Sequence, residues 1–117
     1  MKYLCMIYQD EAQSARRPQD ETDAMMAEYG AFMDDIAASG HMLGGAQLHP
    51  STAATTVRVR DGALSTTDGP YAETKEQLGG YYLIEARDLN EAIQVAARIP
   101  HARMGAIEVR PLRAQRS

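Results

Sequence analysis

Hydrophobic and polar positions divide the chain into four sheet strands, two helices and a hairpin. From Tyr3 to Tyr8 every residue is apolar or aromatic. Side chains alternate across a strand, so Tyr3, Cys5 and Ile7 face one way and Leu4, Met6 and Tyr8 the other. A strand apolar on both sides calls for cover on both sides. The polar stretch from Gln9 to Gln19 reads as a loop. A helix is predicted from Asp20 to Ser39, with Met25, Met26, Tyr29, Phe32, Met33, Ile36 and Ala37 on one face. Asp20, Glu21 and Asp23 complement its positive end, and Gly40 can terminate it.

A weaker strand follows from Met42 to His49, where Gly44 and Gly45 suggest a bulge or close backbone approach. Thr55 to Arg60 alternates, Asp61-Gly62 is a tight-turn signal, and Ala63 to Thr67 returns, which predicts a hairpin with a solvent-facing polar side. Asp68-Gly69-Pro70-Tyr71 forms a second turn, and Ala72 to Leu78 reads as a short helical turn. Tyr81 to Ala86 is a strand apolar on both faces over most of its length. Asp88 caps a helix that carries Leu89, Ala92, Ile93, Ala96 and Ala97 on one face and stops at Pro100. Ala106 to Arg110 is the last strand, with Ile107 and Val109 inward and Glu108 and Arg110 outward. Beyond it, the polar tail from Arg113 to Ser117 is expected to be loose.

With the hairpin set aside, the order is β-α-β-β-α-β, a ferredoxin-like α+β fold in one domain spanning residues 1–117. Right-handed crossovers place both helices on one side of the sheet. The other side, lined by half of each doubly apolar strand, then lacks cover within the chain. Such a face is unusual on a monomer. The expected solution is a homodimer with sheets packed face to face, a dimeric α+β barrel.

Composition narrows the function. The chain has 117 residues and a net charge of −4, which disfavours nucleic acid as a partner. No apolar run approaches the ~20 residues of a membrane span, and the first ten residues do not read as a signal peptide. A cytoplasmic protein is expected. The single cysteine, Cys5, excludes an internal disulfide and a multi-cysteine zinc site, and its place in an apolar strand points to an inert thiol.

Two groups of residues offer chemistry. Asp68, Glu73, Lys75 and Glu76 form the densest polar cluster within a motif. Asp68 or Glu76 would serve as catalytic base or anchor, and Glu73 and Lys75 would hold a ligand's polar end. The same residues are explained by turn chemistry, with Asp68 capping the turn through its side chain. Tyr8, Tyr81 and Tyr82 would supply the walls of a ligand site, or else pack in the core and dimer interface. Any pocket is expected between the sheet and the Asp68–Gly80 segment, near the dimer seam. His41, His49 and His101 are scattered; they fit surface turns, and no metal or other cofactor is expected.

The run from Asp68 to Tyr82, DGPYAETKEQLGGYY, resembles the DGPF branch of the YCII-related proteins, with Tyr71 where the branch has Phe. Thr55 to Gly62, the closing Val109-Arg110-Pro111-Leu112, and Tyr3 with Ile7-Tyr8 share the likeness, so it covers nearly the whole chain. The resemblance implies a ferredoxin-like subunit in a dimeric barrel. It implies no established reaction. The His-Asp pair suggested for classical YCII proteins is missing: the first helix holds no histidine, and Ile99 precedes Pro100. The branch is often associated with extracytoplasmic-type sigma factors. Two functions therefore stand side by side: a barrel that binds or transforms a small organic molecule, and a non-catalytic regulatory protein serving a sigma-factor system.

Overall fold

A computed structural model describes residues 1–114. In chain order the elements are β1 (Lys2–Gln9), α1 (Glu11–Ala15), α2 (Gln19–Ala38), β2 (Met42–Gln47), β3 (Thr55–Arg60), β4 (Ala63–Asp68), β5 (Gln77–Glu85), α3 (Leu89–Ala97) and β6 (Ala106–Pro111). Single 3-10 turns at Ser51–Ala53 and Pro100–Arg103 precede β3 and β6. Four strands form one antiparallel sheet in the order β2-β5-β1-β6, and β3 pairs only with β4. This is the ferredoxin-like α+β arrangement, with the hairpin inserted between its second and third core strands.

The sheet's two faces differ. Tyr3, Cys5 and Ile7 of β1 and Tyr82 and Ile84 of β5 are buried with Phe32 and Ile36 of α2 and Ala92, Val95 and Ala96 of α3. Ile107 and Val109 lie opposite Ile7 and Cys5 and pack against the same core. Burial pushes the Cys5 thiol up to about 11, so it stays protonated and unreactive at neutral pH. The opposite face carries Leu4, Met6, Tyr8 and Leu83, all half-buried, and the more exposed Tyr81. No described helix covers it.

The helices pack more selectively than their apolar patterns suggest. Met25, Phe32 and Ile36 of α2 are buried, but Met26 and Met33 are exposed. On α3, Leu89 and Ile93 are exposed, and Ala92, Val95 and Ala96 face the sheet. Small residues there let the helix approach closely.

Three local expectations change. The Gln9–Gln19 stretch contains α1, because Asp10 Oδ1 accepts the N–H groups of Ala12 and Gln13 at 3.0 and 3.2 Å. The Ala72–Leu78 stretch forms no helical turn. Thr74 Oγ1 donates to the Glu76 carbonyl at 2.5 Å and Gln77 Nε2 to the Thr74 carbonyl at 2.7 Å, local bonds that compete with a helix. β5 starts at Gln77 and runs through Gly79 and Gly80. Asp68 also makes no side-chain hydrogen bond among the described residues. Its turn is held by the Gly69 N–H on the Ala54 carbonyl at 2.7 Å and Thr56 Oγ1 on the Gly69 carbonyl at 2.9 Å. Gly69 has a φ of +107°, which disfavours a side chain.

The hairpin stands away from the body as an arm. Val57, Val59 and Leu64 are each more than half exposed, and the Arg58 guanidinium lies 5.4 Å from the ring centre of Tyr71, which is 80% exposed. The molecule measures 48 × 47 × 18 Å, with a radius of gyration of 16.3 Å. A compact chain of this length would have a radius of gyration of about 13 Å. The root of the arm is clamped. The Glu11 N–H donates to Gln77 Oε1 at 3.0 Å, and the Glu11 carboxylate accepts the N–H and Oγ of Ser51, both at 2.7 Å.

Asp68→Ala is expected to shift the chemical-denaturation free energy by no more than about 0.5 kcal/mol, as for an exposed side chain without partners. Gly105→Ala is expected to cost about 1–3 kcal/mol, because the new Cβ would overlap the Tyr8 carbonyl and neither backbone can yield cheaply. A loss above about 1 kcal/mol in Asp68→Ala would contradict the first assignment, and an unchanged Gly105→Ala the second.

Candidate functional site

A partly open cavity of about 460 Å³ lies between the Thr22–Met33 part of α2 and the β2 edge of the sheet. That volume is typical of small-molecule sites. Thr22, Met25, Met26, Tyr29 and Met33 line it from α2. Their spacing of three or four residues, with Met25 and Met26 adjacent, forms one helical stripe. This explains the exposure of Met26 and Met33, which border the cavity rather than the core. Gly45, Ala46 and Gln47 of β2 and Gly79, Gly80, Tyr81 and Tyr82 of β5 line the sheet side. A Cβ on Gly45 would lie 2.8 Å from the Tyr82 ring, so the bare backbone lets β2 lie against that ring.

The deepest polar feature is a pair from distant parts of the chain. The Tyr29 hydroxyl and His101 Nδ1 share a hydrogen bond of 2.5 Å. Both residues line the cavity. The turn carrying His101 is also tied to α2 by the Arg103 guanidinium, 2.5 Å from the Glu28 carboxylate. His101 is 8% exposed, and its Nε2 is buried without a hydrogen-bond partner. A protonated imidazole would leave a charged N–H unsatisfied there, so the neutral form is favoured. Burial lowers the His101 pKa, and the nearby Arg17 charge lowers it further. Burial, then the neighbouring Tyr82, pushes Tyr29 up to about 12 against smaller opposing effects of His101 and Arg17. The pair is thus neutral at physiological pH and can donate or accept a hydrogen bond without carrying charge.

Of the sequence candidates, Tyr81 and Tyr82 line the cavity. Tyr8, Asp68, Glu73, Lys75 and Glu76 do not. Asp68, Glu73 and Lys75 are exposed, and Glu76 and Tyr8 half-buried. The polar cluster that drew attention to the Asp68–Gly80 segment is a solvated connection between arm and sheet, whereas the glycines and tyrosines after it reach the cavity. His49 is exposed, as expected of a surface histidine. His41 instead links α2 to α3, with Nδ1 2.6 Å from Ser39 Oγ and Nε2 3.0 Å from Glu91 Oε1. His101 departs from the surface placement expected for it. Its only sequence signal was proximity to the helix-stopping Pro100; its partner lies 72 residues earlier. Among the described residues, no group of three or more His, Cys, Asp or Glu is arranged to hold a metal ion.

Comparison with known sequences matches the YCII-related domain to residues 1–115. The chain belongs to the YCII-related domain family. It is 38% identical over 114 residues to an uncharacterized protein of Rhizobium meliloti (strain 1021), an alignment covering 96% of this chain and 92% of that protein. In this YCII-related chain Tyr29 and His101 join the first long helix to the segment after the last one, although the sequence lacks a His-Asp pair between those places.

The lowered pKa of His101 fixes the direction of a pH effect. Unfolding restores an ordinary histidine near ~6.5, so below that value the unfolded state binds more protons and stability falls. Above it the contribution is fully present. Denaturation from pH 7.5 down to pH 5 should show this loss, and His101→Gln should reduce it. Parallel pH profiles for the two proteins would reject the buried neutral histidine.

Proposed function

We propose that this protein is a homodimeric α+β-barrel protein that binds a small organic molecule in the cavity beneath α2. One observation carries the reading: a cavity of small-molecule size, walled by methionines and tyrosines, contains an uncharged pair, half-buried Tyr29 hydrogen-bonded to buried His101. Methionine walls adapt to different apolar shapes, and a few fixed polar groups orient the guest. Binding is supported more directly than catalysis. Asp68 and Glu76, the carboxylates suited to base chemistry, lie outside the lining.

The dimer rests on the uncovered sheet face. Leu4, Met6, Tyr8, Tyr81 and Leu83 form its apolar centre, and the Glu108–Arg110 ion pair, at 2.6 Å, lies at the β6 edge. Packing two such faces together would remove that surface from water. A cytoplasmic setting belongs to the same proposal; one buried, unpaired cysteine needs no oxidising compartment. Among the described residues, no helix is long and apolar enough to cross a membrane.

A second reading, a regulatory module without catalysis, is favoured by the arm. Val57, Val59, Leu64 and Tyr71 give it an apolar surface that the chain itself leaves exposed. The sigma-factor association implied by the resemblance would be made there.

Thermal-shift and calorimetric screening with small aromatic and aliphatic compounds should find ligands that bind the wild type. Met33→Trp, which fills the cavity from α2, should weaken them at least tenfold without lowering the melting temperature. Ligands that bind Met33→Trp equally well would place the site elsewhere. Light scattering should give twice the 12.8 kDa chain mass, and Leu83→Glu should return it to one chain. A monomeric wild type would refute the dimer.

A further inference from the structure

Resting on the cavity reading above, we infer that its occupant is an organic carboxylate, paired with Arg17 and seated with its apolar body against the α2 methionines. The cavity's charge is the first argument. Its lining residues include one permanent cation, Arg17, one neutral histidine, and neither Asp nor Glu. This inverts the character of the whole chain, whose net charge is −4. The acidic residues of α2 contribute to the inversion by their placement. Asp20, Glu21, Asp23, Glu28, Asp34 and Asp35 all lie off the stripe that lines the cavity, and all are exposed.

The state of Arg17 is the second argument. It is half-buried in the short connection between α1 and α2, and among the described residues it makes no salt bridge. Its recorded side-chain contact is Nη1 on the Met25 sulfur at 3.6 Å, a weak acceptor. A guanidinium offers five N–H donors in a planar fork that suits a carboxylate. In Arg17 that fork stands at a cavity wall with its strong donors unspent on protein carboxylates. The charge is close enough to influence both Tyr29 and His101.

The apolar walls and neutral dyad complete the selection. Ile7, Met25, Met26, Met33, Met42 and Tyr82 offer hydrocarbon, sulfur and ring surface to the body of the guest. Tyr29 supplies an un-ionised hydroxyl. When His101 carries its proton on Nδ1, that proton can go to the Tyr29 oxygen, which leaves the hydroxyl proton for a ligand oxygen. A cationic guest would meet Arg17 without a compensating carboxylate. A neutral amide would gain the apolar contacts but not the charge-assisted bond.

The test uses matched carboxylate–amide pairs on the full chain: benzoate and benzamide, phenylacetate and phenylacetamide, hexanoate and hexanamide. Titration calorimetry and ligand-observed NMR report affinity. At least one carboxylate should bind roughly tenfold or more tighter than its amide, the ratio a charge-assisted hydrogen bond supplies. Arg17→Met should abolish the preference while keeping the amide's affinity, Arg17→Lys should retain part of it, and added salt should reduce it. Melting temperatures of the two variants control for folding. Equal binding of carboxylates and amides, or a preference that survives in Arg17→Met, would overturn the carboxylate assignment and leave the cavity reading standing. Failure of every compound in the set to bind would overturn this assignment, and if the wider neutral panel also fails, the cavity reading falls with it.

Discussion

The period-two alternation of β1 is the constraint on which the other features depend. Its register with β5 and β6 places Tyr3, Cys5 and Ile7 under the helices and Leu4, Met6 and Tyr8 on the far side. A slip of one residue would exchange the two sets and move a tyrosine and an isoleucine out of the core. Two helices can cover one side of four strands. The apolar character of the uncovered side is therefore a direct result of building β1 from apolar residues throughout.

Features governed by short-range periodicity were legible in the sequence. β1, the β3–β4 hairpin, α2, α3 and β6 follow from residues within a few positions of one another. α1 was not, because five residues are too few for a helical stripe and it depends on the Asp10 cap and the Gln77 contact. The Asp68–Glu76 cluster shows a related difficulty. Charge density along a chain marks solvated connections as readily as sites, and here Gly69 and Thr56 hold the turn instead of Asp68.

The candidate site was partly legible for the same reason. The doubled glycine and doubled tyrosine before the core of β5 pointed toward the wall they form. Tyr29 was visible as an apolar helix position, but its hydroxyl gains meaning only from His101, which arrives on a turn after α3. Arg17 was one of ten dispersed arginines. Its distinction is a half-buried place in the cavity wall without a carboxylate partner among the described residues, a property of three-dimensional neighbours that no local pattern encodes.

The clamp at Glu11 gives the arm the mechanics of a lever. Its tip is free, while its root is bonded through Ser51 to Glu11, and Glu11 in turn to Gln77 at the start of β5. The fulcrum thus lies in α1, six residues before Arg17. The short segment that bonds the root of the arm also carries the guanidinium, so the outermost part of the molecule and the mouth of its cavity share one anchor.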